Sequence, residues 1–371
     1  MSFLVLFCRA GFEKDCLAEI TDKSFPFGVT GYGKVNSGDG LVRFYPHDPT
    51  AVERLVKQLN FADLVFARQW FVAYAELDDL SEQDRLGPIV EVFSTLKPMQ
   101  TLVLEHPDTN EGKQLSKFCR KFSNPARQVL RKQKLLAAKE KMSNTTGSHA
   151  DSVVGSHIQP GDIRGHLCFL SGTHVLVGQS IEGNTSLWEM GVPRLKFPSE
   201  APSRSTLKLE EAWLQLMTAE ERMSFLKLGQ TAVDLGAAPG GWTWQLVNKG
   251  MKVWSIDNGP MNQALMDSGQ VVHLREDAFT YKPKRPVDWM VCDVVDQPSK
   301  VADRMQRWLL ERWCRYAVFN LKLPMKQRWP EVKRIFERFD ADFMAAGVQY
   351  ELRAKQLYHD REEITVFVRR L

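Results

Sequence analysis

The segment Asp234-Leu-Gly-Ala-Ala-Pro-Gly-Gly-Trp242 constrains this chain more than any other stretch of it. Thr231, Ala232 and Val233 lead into it as a strand, and Trp242 to Asn248 leave it as a helix, so the glycines occupy a strand-to-helix turn. Glycine lets the backbone approach a ligand closely, and free N–H groups at a helix start face an acceptor. Such a turn can therefore seat a nucleotide-like cofactor. A tight connection with no ligand is the plain alternative, but three glycines, a proline and a strand-end acid are more than a connection needs. The nicotinamide fingerprint G-x-G-x-x-G does not fit, because Gly236 is followed by Ala237 and Ala238 and Pro239 has no N–H for a phosphate. Asp234 at the strand end suits a cationic or hydrogen-bond-donating ligand better than a pyrophosphate.

S-adenosylmethionine has those properties: an ammonium, a positive sulfonium, and ribose hydroxyls that call for a carboxylate. After the proline-rich segment Gly191–Pro202 the pattern becomes regular strand–helix alternation, with strands expected at Thr231–Leu235, Lys252–Ile256, Val271–Arg275, Trp289–Asp293 and Tyr316–Leu321. Two closing strands, Tyr350–Leu357 and Ile364–Arg369, are joined by a turn containing His359, Asp360 and Arg361. The expectation is an α/β, Rossmann-like domain over 203–371, its doubly wound sheet closed by an antiparallel hairpin. Asp257 ends the second strand, in position for a ribose, and Glu276-Asp277 ends the third, where a side chain could accept from an adenine amine. Each acid alone could be a turn residue; three on one edge of a sheet point to a site.

Ahead of this domain the order strand (Phe3–Cys8), helix (Phe12–Thr21), strand (Val29–Val35), strand (Gly40–Phe44), helix (Thr50–Leu59), strand (Phe61–Glu76) predicts a ferredoxin-like unit over 1–80. A second α+β unit is expected over 81–190, with a helix at Arg85–Leu96, a strand at Thr101–Glu105 and a hairpin of Gly165–Leu170 and His174–Gln179; 191–202 is the linker. Between Lys113 and Lys141 lie ten basic residues (Lys113, Lys117, Arg120, Lys121, Arg127, Arg131, Lys132, Lys134, Lys139 and Lys141) against the single acid Glu140. The net charge of the whole chain is only +4, so this run has to be judged locally: it is either a phosphate-facing surface or a solvated helical face. Met142–His157 is small and polar and reads as a flexible loop.

The six cysteines are scattered, with no C-x-x-C and no histidine cluster, which predicts reduced core thiols, a cytoplasmic setting and no metal site. The apolar start is about six residues long, too short for a signal peptide, and no run approaches the ~20 residues of a membrane span.

The reaction depends on a second set of residues. Lys322 stands in the apolar setting Val318-Phe-Asn-Leu-Lys-Leu-Pro324, and lysine is rarely buried without a partner. Asp293 at the end of the neighbouring strand can be that partner, with Lys208 and Glu363 completing a charged cluster at the cofactor edge; a structural ion-pair network is the competing reading. Two lysines and two carboxylates suit methyl transfer to a ribose hydroxyl, which must be held in line while its proton is taken. Methylation of an exocyclic amine would instead favour an Asn/Asp-Pro-Pro-Tyr motif, and attack on pyrimidine C5 a cysteine nucleophile. The stretch Cys292-Asp-Val-Val-Asp-Gln-Pro298 gives neither pattern cleanly.

Ser203-Arg-Ser205 leading to Lys208, the Asp234–Trp242 turn, Asp293, Lys322 and Glu363 together resemble the Lys-Asp-Lys-Glu ribose 2′-O-methyltransferases of the heat-shock rRNA methyltransferase type. Ser255–Met261, Phe319–Met325 and Gln356–Glu363 narrow the likeness to large-subunit rRNA enzymes. The resemblance covers nearly the whole chain. It implies S-adenosylmethionine-dependent 2′-O-methylation of one cytidine in the peptidyl-transferase region of 23S rRNA, with a THUMP RNA-binding unit following the ferredoxin-like one. Carried over by position, it makes Lys322 the proton acceptor, supported by Lys208, Asp293 and Glu363. It also places Ser205, the turn residues Gly236, Ala238, Pro239, Gly240 and Gly241, and Asp257, Asp277 and Asp293 around the cofactor. Glu362 is adjacent to Glu363; the distance to the following apolar strand favours Glu363. An RNA-binding assembly factor with a vestigial fold, and a methyltransferase of another RNA or of a base, are the rival functions.

Overall fold

The computed structural model describes residues 2–138 and 159–371. The expected loop at 142–157, together with Lys139 and Lys141, lies outside the described residues. Two compact units divide the chain, Met1–Pro193 and Arg194–Leu371, and the division falls within the expected linker.

The first unit runs β1 (Phe3–Phe7), α1 (Glu13–Ser24), β2 (Gly31–Val35), β3 (Leu41–Pro46), α2 (Ala51–Gln58) and β4 (Gln69–Leu77). It continues with α3 (Leu86–Ser94), β5 (Thr101–Glu105), α4 (Asn110–Gln114), α5 (Ser116–Lys132), β6 (Ile163–Phe169) and β7 (Val175–Ile181). Its sheet has the order β2-β3-β1-β4-β7-β6-β5. The first four strands are those of the expected ferredoxin-like unit. β1 is apolar at every position and fully buried, as a strand covered on both faces must be. The sheet does not stop at the expected boundary near residue 80, because β4 pairs antiparallel with β7 from Val72↔Gln179 to Leu77↔Val175. The two sequence units thus share one sheet.

One expected strand is shorter than the sequence suggested. Of Phe61–Glu76, only the part from Gln69 pairs in the sheet; Phe61–Asp63 forms a 3-10 turn. The buried Glu19 carboxylate accepts the backbone N–H groups of Val65 and Phe66, so those donors are satisfied by a side chain instead of a strand ladder.

The second unit runs α6 (Thr206–Leu216), α7 (Ala219–Phe225), β8 (Thr231–Leu235), α8 (Gly241–Asn248), β9 (Lys252–Ile256), α9 (Gln263–Asp267), β10 (Val271–Leu274) and β11 (Val287–Cys292). It ends with α10 (Pro298–Leu310), β12 (Cys314–Lys322), α11 (Arg328–Ala345), β13 (Tyr350–Lys355) and β14 (Glu363–Arg370). The sheet order is β10-β9-β8-β11-β12-β14-β13, with five parallel strands and the closing antiparallel hairpin that the sequence predicted. The chain order reverses between β8 and β11, and in open α/β sheets ligands bind at such a switch point, beyond the carboxyl ends of the strands. The core beneath is aromatic: the fully buried Trp289 ring packs 4.8 Å from Tyr316 and edge-on to Trp213 at 6.4 Å.

Trp289→Ala removes the centre of that core and is expected to cost the second unit about 3–5 kcal/mol, read as a lowered urea midpoint for the C-terminal transition. An unchanged midpoint would show that the sheet does not depend on this ring.

Candidate active site

The turn after β8 needs its glycines. Gly236 has φ +76° and Gly240 φ +114°, backbone conformations that cost glycine little and other residues much. A Cβ on Gly236 would come within 2.6 Å of Val294 Cγ1, so the β8 turn and the loop after β11 touch at the switch point. The turn is tied to β9 by Gly236 N–H donating to Ile256 O at 2.9 Å, and to Asp257, whose Oδ2 accepts from Ala238 N at 3.0 Å and Oδ1 from Gly259 N at 2.7 Å. Ser205 sits at the other side of the turn. Its carbonyl accepts from Trp242 Nε1 at 3.0 Å, and its Oγ lies where a Cβ on Gly241 would intrude. Pro239 O accepts from Asn262 N at 3.0 Å.

Asp257, Asp277 and Asp293 all follow parallel strands at the same edge. Asp277 is exposed, and one of its oxygens caps Phe279 N at 2.7 Å. Asp234 departs from its expected place facing a cationic ligand. It is buried, its Oδ2 accepts from Thr243 Oγ1 at 2.7 Å, and it holds the start of α8 from below. Burial pushes its carboxyl up to about 7, with the charges of Asp293 and Asp257 adding to the effect.

Lys208, Asp293, Lys322 and Glu363 come together as one cluster. Lys208 comes from α6, Asp293 follows β11, Lys322 ends β12 and Glu363 opens β14. Antiparallel register sets Lys322 directly opposite Glu363. Lys322 Nζ donates to Asp293 Oδ1 at 3.0 Å and to Glu363 Oε2. Lys208 Nζ donates to the other oxygen of each acid, Asp293 Oδ2 at 3.3 Å and Glu363 Oε1 at 2.5 Å. Cations and anions alternate around this ring, and the side chain of Glu363 is only 5% exposed. Glu362 points elsewhere: its side chain is half exposed and accepts from Arg328 Nη2 at 2.7 Å.

Glu211, Asn320 and Thr365 were not anticipated from the sequence. Glu211, one turn beyond Lys208 on α6 and fully buried, accepts from Tyr358 N at 2.7 Å and His359 N at 3.0 Å, fastening the β13–β14 turn to α6. Asn320 donates to Asp293 Oδ1 at 2.9 Å, and Thr365 Oγ1 donates to Asn320 Oδ1 at 2.7 Å. A polar residue amid Val318, Phe319 and Leu321 was the available signal. Cys292, next to Asp293, is buried, and burial pushes its thiol up to about 12, so it carries no thiolate for attack on a base.

The alternating cluster fits a reaction that takes a proton from a hydroxyl, and the strand-end carboxylates around a glycine turn fit a ligand with ribose hydroxyls and positive charge. Among the described residues no group of three or more His, Cys, Asp or Glu is placed to hold a metal, and no helix is long and apolar enough to cross a membrane.

Comparison with known proteins agrees with this architecture. Residues 1–71 match the RlmM ferredoxin-like domain, 84–150 the N-terminal region of ribosomal RNA large subunit methyltransferase M, and 202–325 the FtsJ-like methyltransferase domain. Ribosomal RNA large subunit methyltransferase M of Pseudomonas fluorescens Pf0-1 is 47% identical, the alignment covering 100% of this chain and 98% of that protein. The Stutzerimonas stutzeri protein of the same name is also 47% identical, over 100% of both. Among solved structures, Aeropyrum pernix fibrillarin with bound S-adenosyl-L-methionine aligns with 54% of this chain and 81% of its own, at 15% identity and a TM-score of 0.34.

Because Asp234 takes up a proton on folding, the unfolded state binds fewer protons between its ordinary value of 3.8 and about 7, and stability falls as pH rises through that window. Asp234→Asn, neutral throughout, is expected to gain on the wild type in urea midpoint as pH goes from 4 to 7. Parallel midpoint curves for the two proteins would contradict this.

Proposed function

This chain belongs to the ribosomal RNA large subunit methyltransferase M family and is a methyltransferase of large-subunit rRNA, and we propose that it methylates a ribose 2′-hydroxyl of one cytidine in the peptidyl-transferase region of 23S rRNA, in the cytoplasm. The family target carried over is cytidine 2498. The observation that carries the reading is the alternating cluster of Lys208, Asp293, Lys322 and Glu363 beside the glycine turn. Cys292 speaks against C5 chemistry, and Asp293 is followed by Val294-Val295-Asp296 where base methylases carry Pro-Pro-Tyr.

When bound, S-adenosylmethionine supplies a positive sulfonium whose methyl carbon–sulfur bond breaks as the ribose oxygen–carbon bond forms, leaving a neutral thioether. Gly236, Ala238, Pro239, Gly240 and Gly241 would form its backbone cradle with Ser205 at the rim. Asp257 would accept from the ribose and Asp277 from the adenine amine, each with lone pairs beyond those given to local N–H groups. Lys322 holds the substrate hydroxyl and takes its proton. Asp293 and Glu363 receive what Lys322 gives up, and Lys208 anchors the far oxygen of both. The Lys322 ammonium has no free lone pair, so it passes a proton to Asp293 or Glu363 before it takes the one from the hydroxyl. The neutral cluster of two cations and two anions then gains the single positive charge that the sulfonium loses.

Lys322→Ala is expected to lower ribose methylation at least about a hundredfold while S-adenosylmethionine affinity stays within about twofold. Mass spectrometry of 23S rRNA fragments from cells with and without the active protein reads out the site. An unchanged rate removes Lys322 from the mechanism, and a methyl group lost from a base instead of a ribose refutes the reading.

The basic run of α5 supplies the RNA surface, in the unit that we take to be of THUMP type. Lys117, Arg120 and Lys121 are exposed, whereas Arg127 donates to Leu102 O at 2.5 Å and Arg131 to Ala137 O at 3.1 Å, so those two also brace the fold. Replacing Lys117, Arg120 and Lys121 with Gln is expected to weaken RNA binding and to reduce the salt slope by about 0.7 for each single-strand phosphate that is no longer neutralised. Equal affinity and slope would make the run a solvated face.

A further inference from the structure

We propose that Asn320, Thr365 and Asp360 form a buried hydrogen-bond relay that positions Asp293 for the reaction at Lys322; the proposal rests on the ribose-methyltransferase reading above. Asn320 Nδ2 donates to Asp293 Oδ1 at 2.9 Å, the same oxygen that accepts from Lys322 at 3.0 Å. Thr365 lies opposite Asn320 in the β12–β14 register and donates its hydroxyl to Asn320 Oδ1 at 2.7 Å. Asp360 lies on the far side of Thr365, with Oδ2 at 3.1 Å and Oδ1 at 3.3 Å from Oγ1, and its Oδ2 accepts from Leu357 N at 3.0 Å. Asn320 and Thr365 are fully buried and Asp360 is 1% exposed.

Packing alone does not call for these residues. Burying an amide and a hydroxyl costs free energy that a Leu or Val in the same strands would avoid, unless their hydrogen bonds are used. What Asn320 adds is a donor aimed at one carboxylate oxygen. Asp293 follows the strand on a loop, and its carboxylate can rotate about its own bond. Lys208 on one oxygen and Asn320 with Lys322 on the other hold that rotation. Asn320 is held in turn, because the amide oxygen facing Thr365 fixes which way the NH2 group points. The Thr365 hydroxyl has one proton, and the shorter of its contacts is to Asn320, so its lone pair faces Asp360. Burial pushes the Asp360 carboxyl up to about 7, with Glu211 adding to the rise and Lys208 opposing it, so a protonated Asp360 is available near neutrality to donate to Thr365. All donors in the relay then run one way, from Asp360 to Asp293. These are positioning residues: none of them touches the reacting oxygen.

The test uses the full chain, an rRNA fragment and S-adenosylmethionine, with steady-state kinetics, cofactor affinity and melting temperature measured for each variant. Thr365→Val keeps the shape and loses the hydroxyl. It is expected to lower kcat about tenfold, since small misplacement of a reacting group is costly, with KM for both substrates within about twofold. Thr365→Ser restores the hydroxyl and is expected to return kcat to within about twofold of wild type. If Thr365→Val does not fold, Asp360→Asn, which keeps a donor toward Thr365, is expected to retain kcat where Asp360→Leu loses it. Undiminished kcat in Thr365→Val, or equal losses in the Val and Ser variants, overturns the relay while leaving the methyltransferase intact. A wild type that transfers no methyl to a ribose overturns both.

Discussion

Lys208 and Lys322 each bridge Asp293 and Glu363, and the carboxyl end of the second sheet depends on that shared pairing. No two of the four residues are neighbours in sequence; a helix, a loop and two strands deliver them. Removing one would strand a partly buried opposite charge, so the ring is stable only when complete. The closing antiparallel strand is what makes it possible. Without β14 inserted beside β12, Lys322 would end a strand with no carboxylate opposite, and a lysine in that apolar setting would be a liability.

The elements that hold the ring are themselves held by buried polar groups. Glu211 fastens the β13–β14 turn to the helix that carries Lys208, and Thr243 with Asp234 supports the start of α8 under the glycine turn. Glu211 shares α6 with Lys208, and Asp234 lies on β8 beside the strand that precedes Asp293; both carboxyls are buried, while Lys208, Lys322 and Asp293 stay partly exposed. The sheet edge therefore offers chemistry to a ligand while polar contacts one turn or one register step away fix its shape.

Much of this was legible in the amino-acid order. The glycine turn, the strand ends and the oddity of Lys322 pointed to the edge where Lys208, Asp293, Lys322 and Glu363 meet, because each is a departure from what plain packing would choose. Other features were not legible, for physical reasons. Asp234 sits at a strand end like Asp257, and only the packing of α8 over it decides that one carboxyl is interior and the other is not. Glu19 satisfies the backbone at Val65 and Phe66 across a wide gap in sequence, so a stretch that reads as strand is held as loop. Arg127 and Arg131 are indistinguishable from their basic neighbours until the helix turns them toward backbone carbonyls. Asn320 is one polar residue in an apolar strand, and its partners Asp293 and Thr365 lie far from it in sequence.

The pairing of β4 with β7 has a consequence for how this protein can change over generations. Recognisable sequence families break between residues 71 and 84, as if two modules had been joined end to end. The hydrogen bonds ignore that break and run straight across it. Splitting the chain there would leave each half with a bare central edge, the kind of surface that recruits other chains. Unless such an edge were covered, neither half could be lost or exchanged by itself, and the two segments have to be inherited as one.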